Sequence, residues 1–174
     1  MITPNHLSIL GIIHTAISIL ALLAAYYALY RFGKIDPKTG AGKSYIWLTV
    51  ITCISGLPIM KLGHPTAGHY LAIIILILLP IGIYVQQLRV MGKLAGYIQV
   101  VIMSTTLFLS MIPLIVESLT RLPISHPIAS GPDDPLLQKM LTGLMIIYVI
   151  GVIYQLVKLK ASRKTPPTLD HAIN

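Results

Sequence analysis

The sequence predicts an all-α integral membrane protein of five transmembrane helices, N-terminus outside and C-terminus inside. Three observations predict it. Only 10% of residues are charged and the mean hydropathy is +0.81, whereas about a quarter of residues are charged in soluble domains. The apolar residues gather in five runs, 7–30, 45–62, 68–88, 94–117 and 136–158, close to the ~20 residues of helix that cross a bilayer. The cations divide unevenly between the segments that join the runs. With the N-terminus outside, the inner segments hold Arg31, Lys34, Lys38, Lys43, Arg89, Lys93, Lys158, Lys160, Arg163 and Lys164, and the outer ones only Lys61, Arg121 and Lys139. The positive-inside rule then sets the orientation.

The first run opens after Thr3-Pro4, an N-cap followed by proline at the first helical position. It does not read as a removable signal peptide, because no Lys or Arg precedes it and the charges follow it. Its stretch ILALLAAYYALY, like YLAIIILILLPIGIY in the third run, has no polar face, which excludes a water-soluble bundle. The second run is short and is expected to use Lys61 as a snorkelling end residue. The stretch GHPTAGH, 63–69, then makes a tight turn into the third run. Pro58, Pro80 and Pro113 place one proline in each of three consecutive spans, where each removes a backbone donor and is expected to kink its helix. Asp134-Pro135 opens the fifth run as Thr3-Pro4 opens the first. Residues 1–162 form one transmembrane domain, and the polar tail 163–174, with two prolines, is expected to be disordered.

The two halves show a faint internal repeat. A histidine, an apolar run and Arg31…Gly33-Lys34 are followed by Gly42-Lys43-Ser44-Tyr45-Ile46. His69, a second run and Arg89…Gly92-Lys93 are followed by Gly96-Tyr97-Ile98. This predicts a two-plus-two arrangement with an added fifth helix, a parallel repeat of a sort known in membrane folds.

The net charge of +8 is accounted for as the cytoplasmic skirt of a membrane protein, suited to anionic lipid, and needs no nucleic acid. The single cysteine, Cys53, lies in a span and has no partner in the chain for a disulfide. Trp47, Tyr26, Tyr27, Tyr30, Tyr45, Tyr84 and Tyr97 crowd the inner ends of the spans as an aromatic belt. The chain has five acidic residues, none of them mid-membrane, which argues against a proton-coupled transporter. It carries no nucleophile elbow, P-loop, HExxH or paired intramembrane carboxylates. The loops are too short for a soluble catalytic domain.

Histidine is concentrated on the outer side, at His6, His14, His64, His69 and His126. His14 is the one well inside a span, where ionisable groups are expensive and are candidates for function. His14 and His69 are candidate axial ligands of a haem b. They stand 17 residues before Arg31 and 20 before Arg89, which at 1.5 Å per residue sets them about 5 Å apart in depth, within side-chain reach. His6, His64, His69 and His126, with Asp133 and Asp134, are candidate ligands for copper or zinc at the outer mouth. The competing reading makes these turn and interface histidines, with His14 hydrogen-bonding across helices to Thr15, Ser18 or Ser104. Ser104, Thr105 and Thr106, in the middle of the fourth run, are candidate pore-lining residues.

His14, a short basic loop and Gly42-Lys43-Ser44-Tyr45 resemble a group of uncharacterised bacterial polytopic inner-membrane proteins with a domain of unknown function. In that group the second element often reads His-Arg-x-x-Gly-Arg-x-Tyr. Here it reads Lys38-Thr39-Gly40-Ala41-Gly42-Lys43-Ser44-Tyr45, so Gly42 and Tyr45 match and Lys43 is a basic replacement. Lys38 stands at the histidine position, and the group's further inner histidine has no counterpart around Arg89 to Gln99. The resemblance covers about the first 60 residues. It implies a bacterial cytoplasmic membrane and an unassigned activity.

These observations favour a non-catalytic membrane protein, an accessory or scaffold subunit that packs against a larger membrane complex or against itself. The alternatives are a haem- or metal-binding electron-transfer or metal-handling protein built on the outer histidines, and a passive pore or small-molecule carrier.

Overall fold

A computed structural model describes residues 9–59, 64–123 and 125–163. The described residues form five α-helices: α1 (Ile9–Phe32), α2 (Gly40–Gly56), α3 (Ala67–Tyr84), α4 (Ala95–Arg121) and α5 (Pro135–Ser162). Two short 3₁₀ segments, Val85–Gln87 and Arg89–Leu94, join α3 to α4. Four of the helices, α1, α3, α4 and α5, are long and apolar enough to cross a membrane. With 17 residues, α2 is about 25 Å long, short of the ~30 Å hydrocarbon core. Thr3, Pro4, His6, Lys61, Lys164 and the rest of the tail lie outside the described residues.

Several helix ends have a local cause. Gly33, at φ +70°, follows the last turn of α1 and donates its N–H to the Leu29 carbonyl at 2.8 Å, the left-handed residue that glycine suits after a helix. Asp36 then organises the loop. Its carboxylate accepts the Lys38 N–H at 2.9 Å and meets the Lys34 ammonium at 3.0 Å, while its carbonyl accepts the Thr39 hydroxyl at 2.9 Å. Thr39 caps α2 by accepting the Gly42 N–H at 3.1 Å. The helix therefore starts five residues ahead of the apolar run, because its first turn is polar. It stops at Gly56, so Pro58 lies past its end and is not a proline within a span as the sequence suggested. Pro80 and Pro113 do lie inside α3 and α4.

Asp134 caps α5 through Leu136 N–H at 2.9 Å, with Pro135 at the first position, as the sequence predicts. The loop before it folds back on α4, where Ala129 is buried and donates to the Leu119 carbonyl at 2.9 Å.

Successive helices pack on one another, α1 on α2, α2 on α3, α3 on α4 and α4 on α5, with a small contact between α1 and α4. The core joins Leu22, Ala25 and Ala28 of α1 to Tyr45, Ile46 and Cys53 of α2, Ile75 and Leu79 of α3, and Met103 and Leu107 of α4. Ala21, Ala25 and Ala28 recur at helical spacing and are all buried. Small residues let two helix backbones approach closely in lipid, where packing and hydrogen bonds hold helices together. The two hairpins are joined differently, by the capped loop at Asp36–Thr39 in the first and by the 3₁₀ segments in the second.

The loop at Asp36 carries a pH prediction. Burial pushes its carboxyl up, but the Lys38 N–H and the Lys34 ammonium together outweigh burial and hold it below the ordinary 3.8. A depressed carboxylate contributes stability that is complete above the unfolded value and is lost as pH falls through the folded one. The thermal midpoint in detergent is therefore expected to fall on acidification below the ordinary aspartate range. Asp36→Asn should flatten that fall, and equal slopes in the two proteins would count against it.

Candidate functional site

The candidate residues divide by what surrounds them. His14 lies half-buried between α1 and α2, with Nδ1 3.1 Å from the Ser55 hydroxyl. A Cβ at Gly56 would lie 3.0 Å from its ring, so glycine makes the space that the imidazole fills. The sequence anticipated an interhelical bond for His14 but placed the partner at Thr15, Ser18 or Ser104. Thr15 and Ser18 instead bond back to Gly11 and His14 carbonyls of their own helix.

His69 is buried at the start of α3. Its Nδ1 accepts the Thr66 backbone N–H at 3.1 Å and lies 2.9 Å from the Thr66 hydroxyl, closing a capping box. A backbone N–H only donates, so Nδ1 presents a lone pair and the neutral ring carries its proton on Nε2. That Nε2 is buried without a hydrogen-bond partner. An axial histidine bonding iron through Nε2 uses the opposite tautomer, with Nδ1–H as donor to a second group. The structure thus gives His14 and His69 separate partners, Ser55 and Thr66.

The outer candidates are also dispersed. Exposed His64 has Nδ1 3.1 Å from the carbonyl of Pro65, and His126 and Asp133 are exposed in the loop before α5. Asp134 has both carboxylate oxygens engaged, by the Ser130 N–H and hydroxyl at 2.9 and 3.1 Å and by Leu136 N–H. These bonds, first that from Ser130, hold its carboxyl below the ordinary range. Among the described residues no three His, Cys, Asp or Glu side chains come together; His6 lies outside them.

The polar residues that do converge lie along α4. This helix turns Gln99, Met103, Ser104, Thr106 and Leu107 inward. The Ser104 hydroxyl donates to Gln155 Oε1 of α5 at 3.2 Å, and the Thr105 hydroxyl lies 2.7 Å from the Tyr148 hydroxyl of α5. Fully buried Thr106 accepts the Tyr45 hydroxyl of α2 at 2.9 Å and donates to the Met103 carbonyl at 2.8 Å. Gln99 donates to the Gly82 carbonyl of α3 at 2.7 Å and accepts the side-chain amide of Gln86. Gly82 also lets α3 meet Met103 of α4 closely, since a Cβ there would lie 2.9 Å from Met103 Sδ. The three candidate pore residues each bond a neighbouring helix, and α4 holds α2, α3 and α5 through hydrogen bonds.

Tyr45 leaves the aromatic belt to which sequence position assigned it, being fully buried beside Thr106, with the Thr49 hydroxyl also buried and unpartnered. Tyr26, Tyr27, Tyr30, Trp47 and Tyr84 stay exposed. Gln86, Gln99 and Gln155 were not singled out from sequence. The signal was present, since Gln99, Thr106 and Ser110 fall at helical spacing and Gln155 interrupts an apolar run. In lipid, bonds of this kind contribute about 0.6 kcal/mol each, up to about 1.7. The arrangement is chemically suited to holding helices in register.

Compared with known protein families, characterised proteins and solved structures, the chain matches none.

Proposed function

We propose that the chain is a non-catalytic scaffold or accessory subunit of a bacterial cytoplasmic-membrane complex. In this reading α2 completes a fifth crossing, and the distribution of cations sets the N-terminus outside and the C-terminus inside. The observation that carries the proposal is the uncovered face of α5. Of the other helices, α5 packs on α4 alone, and its buried residues are Leu137 and Gln155. Toward its N-terminal end a shallow, open groove runs along one face of this single helix, lined by Pro135, Gln138, Lys139, Thr142, Gly143 and Ile146. Lipid tails are met adequately by leucine and isoleucine. A groove that combines Gly143 with Thr142 and Gln138 suits another helix, because small residues permit close approach and polar ones bond across the contact.

The test is Gly143→Trp. A Cβ at Gly143 meets nothing within 4 Å, so the bundle is expected to fold as before while the groove is filled. The protein extracted from its own membrane in mild detergent should run as an assembly, and Gly143→Trp as a single chain by native mass. An assembly of unchanged mass in the variant, or a wild-type chain that is already single, sinks the proposal.

A further inference from the structure

The end of the bundle that holds the last turn of α5 is cationic and almost without counter-charge. Asp36 is the one acid there among the described residues, and Lys34 occupies it at 3.0 Å. Two cations of α5 nevertheless turn back onto the bundle. Lys158 lays its ammonium against the end of α1, where Gly33 makes room, since a Cβ at Gly33 would lie 3.0 Å from Nζ. Arg163 crosses to the start of α4. Its guanidinium stacks over the Tyr97 ring at 4.8 Å and donates to the Lys93 carbonyl at 2.6 Å. Gly96 admits it, because a Cβ there would overlap the guanidinium.

Neither cation has a carboxylate partner within ion-pair distance among the described residues. The carbonyls at the end of α1 and near Lys93 relieve part of the charge, but an arginine with five donors keeps several free when one is spent on a carbonyl. Both residues are exposed and lie at the end of an apolar helix, the depth at which lipid phosphates sit once that helix crosses a bilayer. We propose that Lys158 and Arg163, held in place by Gly33, Gly96 and Tyr97, make this end of α5 a binding surface for the phosphates of anionic phospholipid. This rests on the helices spanning a membrane and is independent of any partner at the α5 groove.

The probe is phosphatidylglycerol against phosphatidylcholine, titrated into the delipidated full chain in detergent and counted by native mass spectrometry. Surface cations contribute about 1 kcal/mol each toward anionic lipid, a factor of about five. The wild type should retain phosphatidylglycerol at least fivefold over phosphatidylcholine. Lys158→Gln with Arg163→Gln should lose at least fivefold of that preference, while Lys38→Gln with Lys43→Gln, an equal loss of charge in the α1–α2 loop and the first turn of α2, should keep it. Equal retention of the two lipids by the wild type overturns the proposal whatever the variants do. Equal losses in both double variants overturn it in favour of diffuse attraction.

Discussion

Gly42→Ala is expected to destabilise the protein by about 2–4 kcal/mol, although it adds one methyl group. Gly42 is buried in the first turn of α2, and a Cβ there would overlap the carbonyl of Asp36. That carbonyl cannot move cheaply, because it accepts both the N–H and the hydroxyl of Thr39, at 3.0 and 2.9 Å. Displacing it turns Thr39 away from the Gly42 N–H and uncaps α2. Overpacking costs about 1–3 kcal/mol, and the loss of a threonine cap about 1 more. Gly40→Ala is the control, since a Cβ at Gly40 meets nothing within 4 Å and alanine is the better helix former by up to about 1 kcal/mol. Heating the two variants in mild detergent and following helical circular dichroism should place Gly42→Ala well below the wild type and Gly40→Ala at or above it. If Gly42→Ala melts with the wild type, the loop is not held as described.

That pair of glycines shows what a sequence conveys here. Composition and apolar runs are one-dimensional signals, and they located α1, α3, α4 and α5 to within a few residues. The start of α2 was hidden because its first turn, GAGKS, is polar. Hydropathy sees only where the apolar part begins, whereas the Thr39 cap sees where the helix begins. The same limit governed the site. His14, Ser104, Thr105 and Thr106 were legible as polar residues within spans, but their partners lie on other helices, 41 to 61 residues away. No periodicity within one helix indicates which neighbour it faces. Tyr45 is the sharpest case. A tyrosine near the end of an apolar run belongs by position to the membrane interface, and only the packing of α2 on α1 and α3, with the hydroxyl bonded to Thr106 of α4, turns it into the core.

Tyr45 is the second residue whose loss should be large, and the order of its variants tests the hydrogen-bonded frame. Tyr45→Ala empties a fully buried position in the core that joins α1, α2, α3 and α4; aromatic-to-alanine changes in a core cost about 3–5 kcal/mol. Tyr45→Phe keeps the ring and removes one bond. Thr106 retains its own bond to the Met103 carbonyl at 2.8 Å, so no buried donor is orphaned and the expected cost is that of one membrane hydrogen bond, about 0.6 kcal/mol. Thr106→Val keeps the shape but leaves the Tyr45 hydroxyl buried without its acceptor, and a buried orphan costs about 1–3 kcal/mol. Its effect should therefore lie between the other two, and in the double variant Tyr45→Phe with Thr106→Val most of it should disappear, because no donor is left to satisfy. Thermal midpoints of the four variants in one detergent would show the order. Should Thr106→Val cost no more than Tyr45→Phe, the tyrosine hydroxyl has found another acceptor, for which the neighbouring Ser110 and Thr49 hydroxyls are the candidates. Adding Ser110→Ala and Thr49→Val to Thr106→Val would then recover the missing loss. If it did not, the Tyr45–Thr106 bond would carry no weight in holding α2 to α4.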